Sequence, residues 1–197
     1  PAGTGDLKAQ VSAIVERFPA ENAAGRDALC AGILKLGPRA VAETCARVLP
    51  PGAGDDAKVR FAVNGLAVYV TRTGAEAERL LFVKALIDAI AGSPDKQVAA
   101  FFIAQVQLAG KTEAVKPLSK YLADEALAGP AAAALQTIGG VEAEIALQIA
   151  LDRAPLSARI GLVDALGEIR SRAAVKKLLA LAESGDEALR RAALAAL

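Results

Sequence analysis

An internal repeat constrains this chain more than any other feature. A repeated helical unit cannot bury its apolar face alone and must stack on its neighbours. The segments 155–167 (PLSARIGLVDALG) and 186–197 (DEALRRAALAAL) share one frame. In each, an arginine stands four residues after a helix-starting residue and seven before a leucine: Arg159 with Leu166, and Arg190 with Leu197. Read backwards, the frame continues through Asp124–Ala128–Leu135, Asp95–Ala99–Val106, Asp56–Arg60 and Asn22–Arg26–Ile33. The frame positions are 26, 60, 99, 128, 159 and 190, at spacings of 34, 39, 29, 31 and 31 residues.

Each unit reads as two helices. The first opens on Asp, Asn or a similar cap and closes on an apolar-glycine pair: Leu36-Gly37, Ala109-Gly110, Ile138-Gly139 and Leu166-Gly167. Glycine just past a helix end takes the left-handed conformation at little cost. The second helix follows at once, as at 112–122, 141–152 and 171–183. On helix 75–91, Leu80, Val83, Ile87 and Ile90 form a helical stripe. Composition agrees, with 54% hydrophobic residues and only 4% aromatic ones, the rest mainly Ala and Leu, which lose little entropy in helices. The segment LAVYV at 66–70 continues a helix from Lys58 rather than forming a strand. The loop PPGAGDD at 50–56 ends one helix, and its two aspartates can cap the next. The expected architecture is all-α, an α-α superhelix of about six helical hairpins in a single repeat domain over 1–197. The chain starts at Pro1 without Met and ends in a helix pattern without a glycine stop. The natural protein is therefore expected to be processed or trimmed at its start and to continue beyond Leu197.

The Asp-x-x-x-Arg start, the Ala-rich first helix, the apolar-Gly stop and the Ala-Val-x-x-Leu second helix occur together at 155–181. They resemble short HEAT repeats of the phycobilisome-lyase type, a resemblance that specifies fold rather than function. A narrower one lies at 29–72, carried by the Pro50-Pro51-Gly52 loop and the Asn64-Gly65-Leu66 core of the next helix. This stretch resembles the N-terminal helical domain of exported bacterial proteins that carry a C-terminal 3-keto-disaccharide hydrolase-type (concanavalin-like) domain. The resemblance implies export to the periplasm or cell surface, and hydrolysis by a domain outside this chain.

Chemistry-bearing residues are sparse. Without histidine, the chain lacks the commonest metal ligand and general base, and no Ser-His or Cys-His pair can form. Cys30 and Cys45, seven residues before and eight after Gly37, reach the same height on facing helices of a hairpin. They could form a disulfide or remain two buried thiols. Arg26, Arg60, Arg159 and Arg190 could form an anion ladder. The structural reading is stronger: a stem packed on the next repeat and a guanidinium bonded to a carboxylate or carbonyl. Lys116 and Lys176 occupy equivalent second-helix positions and, with Lys120 and Lys177, form the candidate partner-contact face, with a merely solvated face as the alternative. The carboxylates at 76 and 78, 142 and 144, and 186 and 187 are not spaced to act as a pair across a sugar.

These features point to a non-catalytic interaction or spacer module, with a protein partner or a further C-terminal domain, no cofactor and no membrane span. The alternatives are a lyase- or glycosidase-like enzyme and, less well supported, nucleic-acid binding. The net charge of +1, from 23 basic and 22 acidic residues, gives no general attraction for phosphate backbones.

Overall fold

The computed structural model describes residues 4–197, which divide into two compact units, one ending at Gly110 and one starting at Lys111. Every regular element among the described residues is helical. None of these helices is long and apolar enough to cross a membrane. The first unit holds α1 (Thr4–Val15), α2 (Ala23–Lys35), α3 (Pro38–Cys45), α4 (Ala57–Tyr69), α5 (Glu76–Gly92) and α6 (Lys96–Ala109). In the second, a 3-10 turn at Thr112–Ala114 leads into α7 (Val115–Ser119), followed by α8 (Ala128–Ile138), α9 (Gly140–Arg153) and α10 (Leu156–Glu168). Another 3-10 turn, Arg172–Ala174, leads into α11 (Val175–Ala182), and α12 (Glu187–Ala196) closes the described chain.

The six frame positions share a backbone bond and a burial pattern, although Ala128 opens its helix whereas the other five lie one turn inside theirs. At each, the frame residue's N–H donates to the carbonyl four residues earlier, over 2.8 to 3.2 Å. Three residues on, Leu29, Val63, Phe102, Ala131, Leu162 and Ala193 are all buried. Seven on, Ile33, Ala67, Val106, Leu135 and Leu166 are fully buried, while Leu197 is exposed. Each fully buried Leu or Ile contributes about 1.5–3 kcal/mol relative to an exposed one. The caps follow the sequence: the carboxamide or carboxylate of Asn22, Asp95 and Asp186 accepts first-turn amides at 2.8–2.9 Å. In the first unit α4 packs on α2 and α6, and α3 packs on α1 and α5. In the second, α10 packs on α8 and α12, while α7 packs on α9. First and second helices thus form separate layers within each unit.

Local expectations differ from the structure in four places. Gly37 and Gly139 do take positive φ (90° and 67°), but Gly110 is extended at φ −73°. Gly167 is not a stop: α10 runs through it to Glu168. A methyl at Gly167 would lie 2.6 Å from the Ala196 Cβ, so glycine there lets α10 and α12 approach closely. On α5 the core face is Arg79, Phe82, Val83, Leu86 and Ile90, because Phe82 and Leu86 are fully buried and set the helix's rotation. Leu80 is therefore 43% exposed and Ile87 only half-buried. Finally, α8 begins at Ala128 rather than just after Asp124. Pro130 has no amide to donate to the Ala126 carbonyl, which a helix running on from Asp124 would require.

The left-handed residue that ends α10 is Arg170, at φ 53°. Around it the Ser171 amide donates to the Leu166 carbonyl at 3.0 Å and the Arg170 amide to the Gly167 carbonyl at 2.8 Å, a Schellman motif. An arginine there carries a steric cost that glycine lacks. Arg170→Gly is expected to raise unfolding free energy by about 0.5–1 kcal/mol, read by urea denaturation.

Candidate functional site

The second helices of the second unit share a register. Leu118, Leu147 and Leu178 are at most 1% exposed, and so are Ala114, Ala143 and Ala174 four residues before them. These buried positions fix what points outward. Two residues before each leucine stand Lys116, Ile145 and Lys176, all exposed. On α9 the outward row is Val141, Ile145 and Ile149, which are 70%, 50% and 51% exposed. Beside it, between α7 and α9, runs a groove of about 420 Å³ lined by Ile145, Ile149, Leu122, Lys116, Glu142 and Arg153, among others.

Of the four lysines expected on a contact face, Lys116 lines this groove. Lys116, Lys120 and Lys176 are exposed and make no ion pair among the described residues. Lys177 is committed elsewhere: its ammonium donates to the Asp152 carboxylate at 2.6 Å and the Gln148 carbonyl at 3.1 Å, tying α11 to α9. The same seam holds a polar chain in which Ser171 Oγ donates to the Glu144 carboxylate at 2.5 Å and Gln148 Nε2 donates to Ser171 Oγ at 3.2 Å. The isoleucine row escapes a search for chemistry-bearing residues because its members are aliphatic. The frame could have found it, since Ile145 stands 29 residues after Lys116 and 31 before Lys176, the spacings of the repeat itself.

Three of the four frame arginines make structural contacts. The Arg26 guanidinium pairs with Asp27 at 2.7 Å. Arg60 binds the Asp56 carboxylate at 2.9 Å, donates to the Leu49 carbonyl at 2.9 Å, and lies 4.7 Å from the centre of the Phe101 ring. Burial alone would raise the Asp56 carboxyl; the Arg60 hydrogen bonds, the Leu49 amide and the Arg60 charge together hold it below the ordinary carboxylate range. The stability Asp56 contributes is thus present above about pH 4 and lost as the pH falls through its lowered folded value. Asp55 does the capping instead, accepting the Ala57 amide at 3.0 Å. Arg159 donates to the Ala154 carbonyl at 3.1 Å, and Arg190 is exposed.

Cys30 and Cys45 are free thiols, buried on α2 and α3. They face different neighbours. A Cβ at Gly65 of α4 would lie 3.2 Å from the Cys30 Sγ, whereas Cys45 lines a groove of about 810 Å³ beside α5. Burial pushes both thiols up to about 12. The unfolded chain ionises them near pH 8.5, so this part of the stability is full below that value and is lost as pH rises towards 12. A thiol reagent at pH 8 is expected to leave both unmodified in the native protein. In non-reducing guanidinium it should titrate two thiols per chain; none would mean that they are bonded to each other.

Glu76, Glu78 and Asp186, read as not spaced for paired chemistry, have separate structural duties. Glu76 binds Arg79, Glu78 binds Arg72, and Asp186 caps α12. No group of three or more His, Cys, Asp or Glu able to hold a metal occurs among the described residues. Compared with protein-family models and with curated proteins, the chain matches none of them.

Proposed function

We propose that this chain is a non-catalytic protein-interaction module, a HEAT-like α-α solenoid whose second-helix face holds a partner. The observation that carries the reading is the exposed row Val141, Ile145 and Ile149. Folding buries Ala143, Leu147 and Leu151 of the same helix, yet leaves these three large aliphatic side chains exposed in one line beside a groove. A contiguous apolar patch of this kind marks an interaction site more often than scattered surface leucines do. The carboxylates support a non-enzymatic reading, because Glu76 and Glu78 are taken up by ion pairs and Asp186 by a helix cap. The shared frame and the layering of first and second helices support the solenoid. The resemblance at 29–72 supplies the setting: a spacer or interaction part of a larger exported bacterial protein whose carbohydrate-hydrolysing chemistry resides in another domain.

A photocrosslinking residue tests this directly. Placed at position 145 in the full-length protein within its native cell, it is expected to give a discrete adduct with another protein or domain. Placed at position 164, exposed on the first-helix layer, it is expected to give none. Equal labelling from both positions, or turnover of glycosides by residues 1–197 alone, would overturn the reading.

A further inference from the structure

The groove beside α9 carries a charge pattern as well as an apolar one. Ile145 is flanked in register by Lys116 on the preceding second helix and Lys176 on the following one. One turn further along, Ile149 corresponds to Lys120; one turn back, Val141 corresponds to Arg172. All four cations are exposed and make no ion pair among the described residues. Two acids of α9 are engaged elsewhere, Glu144 by Ser171 and Asp152 by Lys177. The groove lining itself holds two cations, Lys116 and Arg153, and one acid, Glu142. Lys116 lines the groove with Ile145 and Ile149, and Lys120, Lys176 and Arg172 hold matching register positions, in a protein whose net charge is only +1, so this is a local pattern rather than a general excess.

We infer, on the reading of this face as a binding surface, that its occupant is an acidic amphipathic helix of a protein partner. Eight residues separate Val141 from Ile149, about 12 Å of helix, which matches two turns of a partner presenting apolar residues at i, i+4 and i+7. Carboxylates flanking that stripe meet Lys116, Lys120 and Lys176, whose flexible stems adapt to them without a fixed fork. A nucleic acid would engage the cations but leave the isoleucines facing water, and none of the groove's lining residues is aromatic for a base to stack on. An anionic bilayer could cover the row, yet a flat surface does not enter a groove between two helices.

The test uses fluorescence anisotropy with a labelled helical peptide carrying leucines at i, i+4 and i+7 and glutamates on both flanks. Its counterpart has every glutamate replaced by lysine. The acidic peptide is expected to bind, with affinity falling at least about fivefold between low and high salt. Ile145→Gln with Ile149→Gln is expected to weaken it at least about tenfold, and Lys116→Gln with Lys176→Gln several-fold, with unchanged circular dichroism in both. No binding at millimolar peptide, or equal binding of the lysine peptide, overturns the inference. Preferential binding to vesicles of phosphatidylglycerol and phosphatidylcholine also overturns it, as does a self-association that the isoleucine substitutions abolish. If the peptide fails while position 145 still crosslinks a protein, the partner chemistry is wrong and the binding-module reading stands.

Discussion

Arg79→Ala is expected to lower the unfolding free energy by about 2–4 kcal/mol, a large fraction of a typical domain's stability. Arg79 is only 3% exposed, on the core face of α5. Its guanidinium donates to the Ala109 carbonyl at 2.8 Å and holds Glu76 with two bonds of 3.1 and 2.7 Å. Ala109 is the last residue of α6, where carbonyls lack helical partners and a cation meets the negative end of the helix dipole. Truncation leaves a buried acceptor without this donor and an unfilled volume, and both effects destabilise. Glu76 is mostly exposed, with its side chain 59% accessible, so Glu76→Gln is expected to cost less than about 1 kcal/mol. Urea denaturation of both variants separates the two roles. A loss of similar size from each would place the energy in the ion pair rather than in the carbonyl contact.

Leu147→Ala and Ile145→Ala form the second contrast. The residues stand two apart on α9 and point in opposite directions. Leu147 is fully buried, and its truncation is expected to cost about 3 kcal/mol from lost transfer energy and the cavity left behind. Ile145 is half exposed, and its truncation is expected to stay within about 0.5 kcal/mol, partly because alanine favours a helix more. Reversal of the order would rotate α9 and bury the proposed contact row. The pair therefore reads the orientation on which the binding face depends.

Much of the fold was legible because local chemistry and tertiary packing agree at the repeat. Asn22, Asp95 and Asp186 prefer capping positions on their own account, and the structure uses all three as caps. Pro38 after a left-handed Gly37 turns the chain between α2 and α3 as the sequence suggested. What stayed hidden depends on neighbours distant in sequence. Gly167 looked like a stop because glycine ends helices, but it is small for the sake of Ala196. Arg79 lies outside the repeat frame, and only the packing of α6 reveals a carbonyl for it to satisfy. At the candidate site, the lysines at 116, 120 and 176 were visible as a face. Ile145 between them was not, because an aliphatic residue inside a helix reads as core until its burial is known.

The central claim is that folding leaves the α9 row free for a partner. Urea denaturation of Ile145→Gln/Ile149→Gln tests it most directly. If the row is uncovered in the folded chain, the double variant keeps the midpoint and slope of the parent, with a stability change within about 0.5 kcal/mol. A loss of about 2 kcal/mol or more would show that these isoleucines hold the fold together, and the binding face would have to be sought elsewhere.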